Sequence, residues 1–310
     1  MILGCGEALI DFVPLTGERA YRPCAGGSVL NIAVGLGRLR VPVGFFCKLS
    51  TDFFGELLAN HLSSNQVDIR LCPRVDGSTT LAFVSLPEEG AKEPQFAFYA
   101  NGTVDRSLTT DELPSKLDES IRALHFGSIS LVLEPGAGAL EALMRRESRR
   151  RIITLDPNVR PAVIGDRSAY RQRFESWLEH VDILRLSTAD LDCLYPGADW
   201  QELLPGWFAA GISLVLVTQG AQGASACVPS GELVFEPADQ VEVSDTVGAG
   251  DTFFSAALAY LHDHELLYDR SRLASLSATD LKACLGYASR AAAINCTREG
   301  ADPPYKHEMT

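Results

Sequence analysis

The chain has 310 residues, 46% of them hydrophobic and 22% charged, a length that allows one large domain or two moderate ones at roughly 100–200 residues per domain. Forty acidic against twenty-seven basic residues leave a formal net charge of −13, which repels nucleic acid and anionic membranes and excludes both as expected partners. No run reaches the roughly 18 uninterrupted apolar residues that span a bilayer, and without long low-complexity tracts the composition is that of a globular protein.

Cys5, Cys24, Cys47, Cys72, Cys193, Cys227, Cys284 and Cys296 are widely spread and form no Cys-x-x-Cys pair. No secretory start is evident, so reduced thiols in a cytoplasmic, soluble protein are expected. His262 and His264 stand two apart on a predicted helix and face different sides, which argues against a metal pair. The basic run Arg145–Arg151 reads as a solvated helix end whose cations complement the helix dipole.

In chain order, Ile2–Phe12 reads as a strand, Ser28–Leu39 as a helix with apolar residues at 29, 32, 33 and 36, Val41–Leu49 as a strand and Phe53–Leu62 as a helix. Ala123–Ile129 is a predicted strand, Ala137–Met144 a helix, Arg151–Leu155 a strand, Tyr170–Leu178 a helix, and Ile183–Leu186 and Leu214–Thr218 strands. Thr252–Leu261 and Leu281–Ile294 close the series as helices. This alternation implies βαβ units and a mainly parallel sheet covered on both faces. Two segments break it: Val13–Cys24, and Thr79–Ala100, whose alternating stretches flank a turn-like Pro87–Pro94. They read as antiparallel strands forming a small sheet, which serves either as a surface hairpin or as a lid that keeps water from a reactive site.

The sharpest local signal is Asp245-Thr246-Val247-Gly248-Ala249-Gly250-Asp251-Thr252, followed by an apolar helical run. Small residues before a helix leave its first amides uncovered, and those amides with the positive helix end make a site for phosphate. Asp251 in the first turn would be repelled by phosphate as a ligand, yet it is placed to take a proton from an attacking hydroxyl. An ordinary N-cap is the competing reading. Neither Gly-x-x-x-x-Gly-Lys-Ser/Thr nor a complete Gly-x-Gly-x-x-Gly after a strand occurs, which disfavours P-loop and dinucleotide enzymes.

Together with Gly26-Gly27-Ser28-Val29-Leu30-Asn31-Ile32-Ala33, this motif resembles the two signatures of the ribokinase-like (PfkB-type) carbohydrate kinases. His125–Ser130, Asp156-Pro157-Asn158-Val159-Arg160 and Val217–Gly223 are similar to segments of bacterial and plant fructokinases, so the resemblance spans nearly the whole chain. It implies one ribokinase-like three-layer α/β domain over 1–310, with a mainly parallel central sheet and inserted β-lid segments at 13–24 and 72–105. It implies transfer of the γ-phosphoryl of ATP to a sugar, foremost D-fructose to fructose 6-phosphate. Asp251 is then the catalytic base, and Gly248, Ala249 and Gly250 complete the anion hole. Asp11, Gly26, Gly27, Asn31, Phe98 and Arg160 bind the sugar, while Ser187, Thr218, Gly220 and Gly223 contact the nucleotide.

Asp190 stands where the family's Asn-x-x-Glu motif serves magnesium, with Ser187 in place of Asn and a carboxylate one methylene shorter. The resemblance implies Mg²⁺, and in some relatives a monovalent cation such as K⁺ beside the residues matching Asp245 and Gly300. It also implies a homodimer through the lid. Ala100 stands where many fructokinases carry Arg, so a kinase for 2-keto-3-deoxygluconate or another sugar is an open alternative, as is a non-catalytic sugar- or nucleotide-binding regulator.

Overall fold

The computed structural model describes residues 1–15, 19–85 and 95–309. The first third carries β1 (Ile2–Cys5), β2 (Leu9–Pro14), β3 (Tyr21–Gly26), α1 (Ser28–Arg38), β4 (Val43–Phe46), β5 (Leu49–Ser50), α2 (Phe53–Ser64), β6 (Val67–Asp68), β7 (Arg74–Val75), β8 (Leu81–Ser85) and β9 (Gln95–Tyr99). The middle follows with β10 (Ala123–Gly127), α3 (Gly136–Glu147), β11 (Ile152–Asp156), α4 (Arg167–Trp177), β12 (Ile183–Ser187), α5 (Thr188–Leu194) and α6 (Trp200–Ala210). The last part adds β13 (Leu214–Thr218), β14 (Gly223–Cys227), β15 (Leu233–Pro237), α7 (Ala249–Asp263), α8 (Arg270–Leu273) and α9 (Ala278–Cys296).

A nine-stranded sheet in the order β15-β14-β13-β12-β11-β10-β1-β4-β6 forms the middle layer, parallel except where β14 and β15 pair antiparallel. Apolar residues fill both faces of its strands, as strands covered by helices on each side require. One core packs Ile2, Ile183 and Leu214 against α1, α2, α7 and α9. The other packs Leu3, Phe126 and Leu184 against α3 to α6, with Phe174 and Trp177 fully buried. The expected three-layer architecture is thus observed, with a separate four-stranded sheet β3-β2-β8-β9 beside it.

The structure revises several expected boundaries. Ile2–Phe12 is two strands, because the chain leaves the main sheet at Gly6, where any side chain would lie 2.5 Å from Val29 Cγ2. Asp11 therefore belongs to the small sheet instead of ending a main-sheet strand. Val41–Leu49 likewise divides into β4 and β5, and Ala123–Ile129 ends at Gly127 in a 3₁₀ turn. Within 72–105 the small sheet takes only β8 and β9, while β7 pairs with β5. The expected turn at Pro87–Pro94 lies outside the described residues. Helix α6 was not foreseen, since Pro205-Gly206 reads as a break; burial of Leu204 and Trp207 holds it.

Helices α1 and α7 cross at unusually close range, and both lead to the site. A Cβ on Gly35 would fall 2.8 Å from Ser255 Cβ and 2.3 Å from its hydroxyl oxygen. Alanine in a helix interior is intrinsically favoured over glycine by about 1 kcal/mol, but here it wedges the helices apart. Gly35→Ala is expected to lower the urea unfolding midpoint, and Gly35→Ala with Ser255→Gly to recover most of the loss; a raised midpoint in the single variant would contradict this packing.

Candidate active site

Gly248 caps α7 in the left-handed region at φ 73°, and a Cβ there would strike Ala301 at 2.5 Å. Asp245 ties down the loop before it by accepting the Val247 amide at 3.0 Å and the Gly300 amide at 2.8 Å. The Ala249 amide donates to the Thr246 carbonyl at 3.2 Å. This removes Ala249 from the expected set of free donors and leaves Gly250 and Asp251, whose amides meet no acceptor among the described residues.

The Asp251 carboxylate is buried and surrounded by donors from distant segments. Ser28 Oγ donates to Oδ1 at 2.6 Å and Asn31 Nδ2 to Oδ2 at 2.9 Å, both from the first turn of α1. Asn158 Nδ2 adds a longer contact at 3.3 Å from the loop after β11, with Asn158 held at φ 37°. Burial raises the Asp251 pKa, opposed by the Ser28 and Asn31 hydrogen bonds and by the charges of Arg160 and Arg185. The result is a proton acceptor with raised affinity for a proton at a helix start that attracts anions.

Across from Asp251 lies one face of the small sheet. Register places Cys24, Asp11, Ala82 and Phe98 in a single row. Phe98 stacks on Phe96 at 5.9 Å, and Arg160 lies 5.7 Å over the Phe96 ring. Burial pushes the Asp11 carboxyl up to about 7, against the pull of Arg160 and with Asp251 and Glu7 adding to the rise. Gly26 is fixed by Asp11, whose Oδ2 would lie 2.0 Å from any Cβ at that position. Gly27 holds φ 108° at the cap of α1 because the Glu7 carbonyl approaches to 3.0 Å of where a Cβ would be.

On the other side, Thr218 ends β13, and Gly220 (φ 56°) and Gly223 (φ 132°) shape the turn into β14. Ser187 and Asp190 form a capping box on α5 instead of opening into the site: Asp190 accepts the Ser187 amide at 2.7 Å, its hydroxyl at 2.6 Å, and the Val159 amide at 2.7 Å. Three acceptor positions of the buried Asp190 are thereby occupied, so it serves as a cap of α5 and an anchor of the loop after β11. Ser187 caps α5 through its hydroxyl.

Ser28, Asn158, Asp156 and Arg185 were not singled out from the sequence. The first three sit inside quoted motifs, so position within a motif was the available signal. Arg185 sits in an otherwise apolar strand, where a lone cation among Ile183, Leu184 and Leu186 was the only hint. Its guanidinium pairs with Asp156 at 2.7 Å in the sheet interior.

A buried carboxylate beside bare helix amides, facing a small sheet that carries polar and aromatic groups, has the geometry for moving a phosphoryl group to an alcohol. The profile of the pfkB family carbohydrate kinases matches residues 2–308. A fructokinase of Rhizobium leguminosarum bv. trifolii is 41% identical over 285 residues, covering 91% of this chain and 86% of the relative. Fructokinase-1 of Zea mays is 33% identical over 315 residues, 98% of this chain and 94% of its own length. A solved fructokinase of Xylella fastidiosa with bound ATP superposes with a TM-score of 0.88 at 27% identity, over 99% of this chain and 96% of that one. A fructokinase of Vibrio cholerae O395 bound to fructose, ADP and a calcium ion gives 0.82 at 25% identity, over 97% and 94%. The chain belongs to the pfkB family of carbohydrate kinases.

The raised Asp11 pKa has a consequence for the sugar-free protein. A carboxyl at about 7 when folded and about 3.9 when unfolded favours the folded state only while protonated, so its contribution is present below pH ~4 and lost as pH rises to about 7. Asp11→Asn is therefore expected to melt above the parent at pH 8, with the gap narrowing as pH falls and closing only near pH ~4; a gap that ignores pH would contradict the assigned burial.

Proposed function

We propose that this chain is an ATP-dependent fructokinase that converts D-fructose and ATP into fructose 6-phosphate and ADP. The observation that carries the reading is Asp251, buried between donors from α1 and the loop after β11, at the amide end of α7. The sugar's primary hydroxyl donates to Asp251. As its oxygen bonds to the γ-phosphorus, the bond from phosphorus to the bridging oxygen of ADP breaks and the hydroxyl proton passes to the carboxylate. The Gly250 and Asp251 amides and the dipole of α7 meet the charge on the equatorial oxygens. Asp11, Asn31 and Arg160 orient the sugar beneath Phe98, Gly26 and Gly27 let it approach the backbone, and Thr218, Gly220 and Gly223 face the nucleotide.

Among the described residues no three His, Cys, Asp or Glu side chains converge as a metal cage. That fits an ion carried mainly by substrate phosphates and its own waters, which is how Mg²⁺ is commonly bound; its charge would neutralise the donor phosphates, with Asp190 reached through water. Asp245 and the Gly300 loop form the place where a monovalent cation such as K⁺ would sit. No helix among the described residues is long and apolar enough to cross a membrane, in keeping with work in the cytoplasm, where ATP is held and thiols stay reduced.

The outer face of the small sheet supports a homodimer. Phe12 stacks on Phe83 at 4.7 Å, Tyr21 and Tyr99 pack edge-on against Phe83, and Tyr99 is still 63% exposed. Such an aromatic face on a sheet with open edges is a natural self-pairing surface. Light scattering is expected to give a dimer for the parent and a monomer for Tyr99→Asp with Phe83→Asp; a monomeric parent would refute the pairing.

Sugar-dependent ADP release across a panel that includes fructose, other ketoses and 2-keto-3-deoxygluconate tests the reaction and the substrate. Fructose is expected to give the highest kcat/KM. Asp251→Asn keeps the shape but removes the base, and kcat should fall on the order of 10²–10⁴-fold with sugar binding by calorimetry retained. Turnover of Asp251→Asn near the parent's rate would sink the assignment, and binding without ADP release in the parent would favour a regulator.

A further inference from the structure

Arg185 belongs to neither family signature, yet it lies directly behind the amide end of α7. Side-chain alternation along β12 sends Leu184 and Leu186 into one core and Arg185 to the opposite face of the sheet, the face that α7 covers. On the neighbouring parallel strands Asp156 follows Leu155, the partner of Leu184, and Thr218 pairs with Ser187, two residues beyond Arg185 on the same face. Arg185 Nη1 donates to Asp156 Oδ2 at 2.7 Å and Nη2 to the Thr218 hydroxyl. A Cβ built on Gly250 would fall 2.8 Å from Nη2 and 3.1 Å from Nη1, so the guanidinium rests against the first turn of α7 where glycine alone leaves room. Its Nε is buried with no acceptor.

Fold stability alone gives little reason for this placement. A cation is disfavoured at a helix N-terminus, where the dipole is already positive, and a buried ion pair commonly fails to repay its desolvation. The carboxylates acting on Arg185 are those of Asp156, Asp190 and Asp251, and Arg160 is the second cation acting on Asp251. Asp190 is already engaged by Ser187 and Val159. What the arrangement supplies is a fixed positive plane behind the free amides of Gly250 and Asp251, tied through Thr218 to the turn that faces the nucleotide.

We propose that Arg185 is a positioning residue of the phosphoryl-transfer site: clamped by Asp156 and Thr218, it backs the first turn of α7 and favours an anionic phosphoryl group at the Gly250 and Asp251 amides. The inference rests on the kinase reading and adds to it a residue that touches neither sugar nor base. Its effect falls on the phosphoryl position, and sugar and ADP are held elsewhere.

Binding of fluoroaluminate, a mimic of the transferring group, to the enzyme with ADP and sugar reads that position. In Arg185→Met its affinity and kcat should both fall roughly 10²-fold, the scale of losing one anion-hole donor, while ADP and sugar bind with unchanged stoichiometry and near-parent affinity. Arg185→Lys, which restores the charge, should recover a large part of both. An arginine with a merely structural role would lower stoichiometry and melting temperature without singling out the fluoroaluminate. Should Arg185→Met fail to fold, Asp156→Asn with Arg185→Met removes the pair without stranding a charge and is read the same way. Fluoroaluminate affinity equal to the parent's in the folded variant overturns the proposal. Parent turnover is measured first: a parent that phosphorylates no sugar overturns the kinase reading and this inference with it, whereas an active parent with an indifferent Arg185→Met overturns this inference alone.

Discussion

A carboxylate taken out of water must be met by donors, or it takes up a proton and ceases to be a base. Asp251 is that group here, and much of the surrounding structure follows from holding it. Its two oxygens are met by Ser28, Asn31 and Asn158, so α1, α7 and the loop after β11 must keep fixed relative positions. The close crossing of α1 and α7 at Gly35 and Ser255 fixes one of these relations. The left-handed backbone at Gly248 and the anchoring of its loop by Asp245 fix where α7 begins.

The same constraint accounts for the charges further out. Burial raises the Asp11 and Asp156 carboxyls to about 7, and the charge of Asp251 adds to the rise of each. Arg160 and Arg185 approach from different sides, one over Phe96 of the small sheet and one within the main sheet.

The two faces of the small sheet differ in character. Alternation along β2, β8 and β9 turns Asp11, Ala82 and Phe98 to the site and Phe12, Phe83 and Tyr99 to the opposite face, where Phe12 also packs on Phe54 of α2. A one-residue slip in register would exchange the two sets and turn Asp11 away from Asp251. Gly26, hemmed in by the Asp11 carboxylate, helps pin that register at β3.

How much of this was legible in the sequence depends on whether the signal was local. The helical period of Ser28–Leu39 and of the run after Gly248, the apolar strands at Ile183 and Leu214, and the small residues preceding Asp251 are local patterns, and the observed elements match them closely. That Asn31 and Asp251 share one site was expected only through the family resemblance, which gave Asn31 to the sugar; their direct hydrogen bond across 220 positions was not foreseen, since spacing alone carries no distance. The break of the first strand at Gly6, the capping role of Asp190, the spent amide of Ala249 and the place of Arg185 were not legible. Each depends on what an atom meets after the chain has returned to it: Val29 against Gly6, Val159 on Asp190, Thr246 on Ala249, Gly250 over Arg185. The sequence by itself determined the layers and the residue types at the site, because periodicity and conformational preference act between near neighbours. Tertiary structure alone decided which donors, charges and backbones those residues meet, because parallel strands joined by helices bring together segments that are remote along the chain.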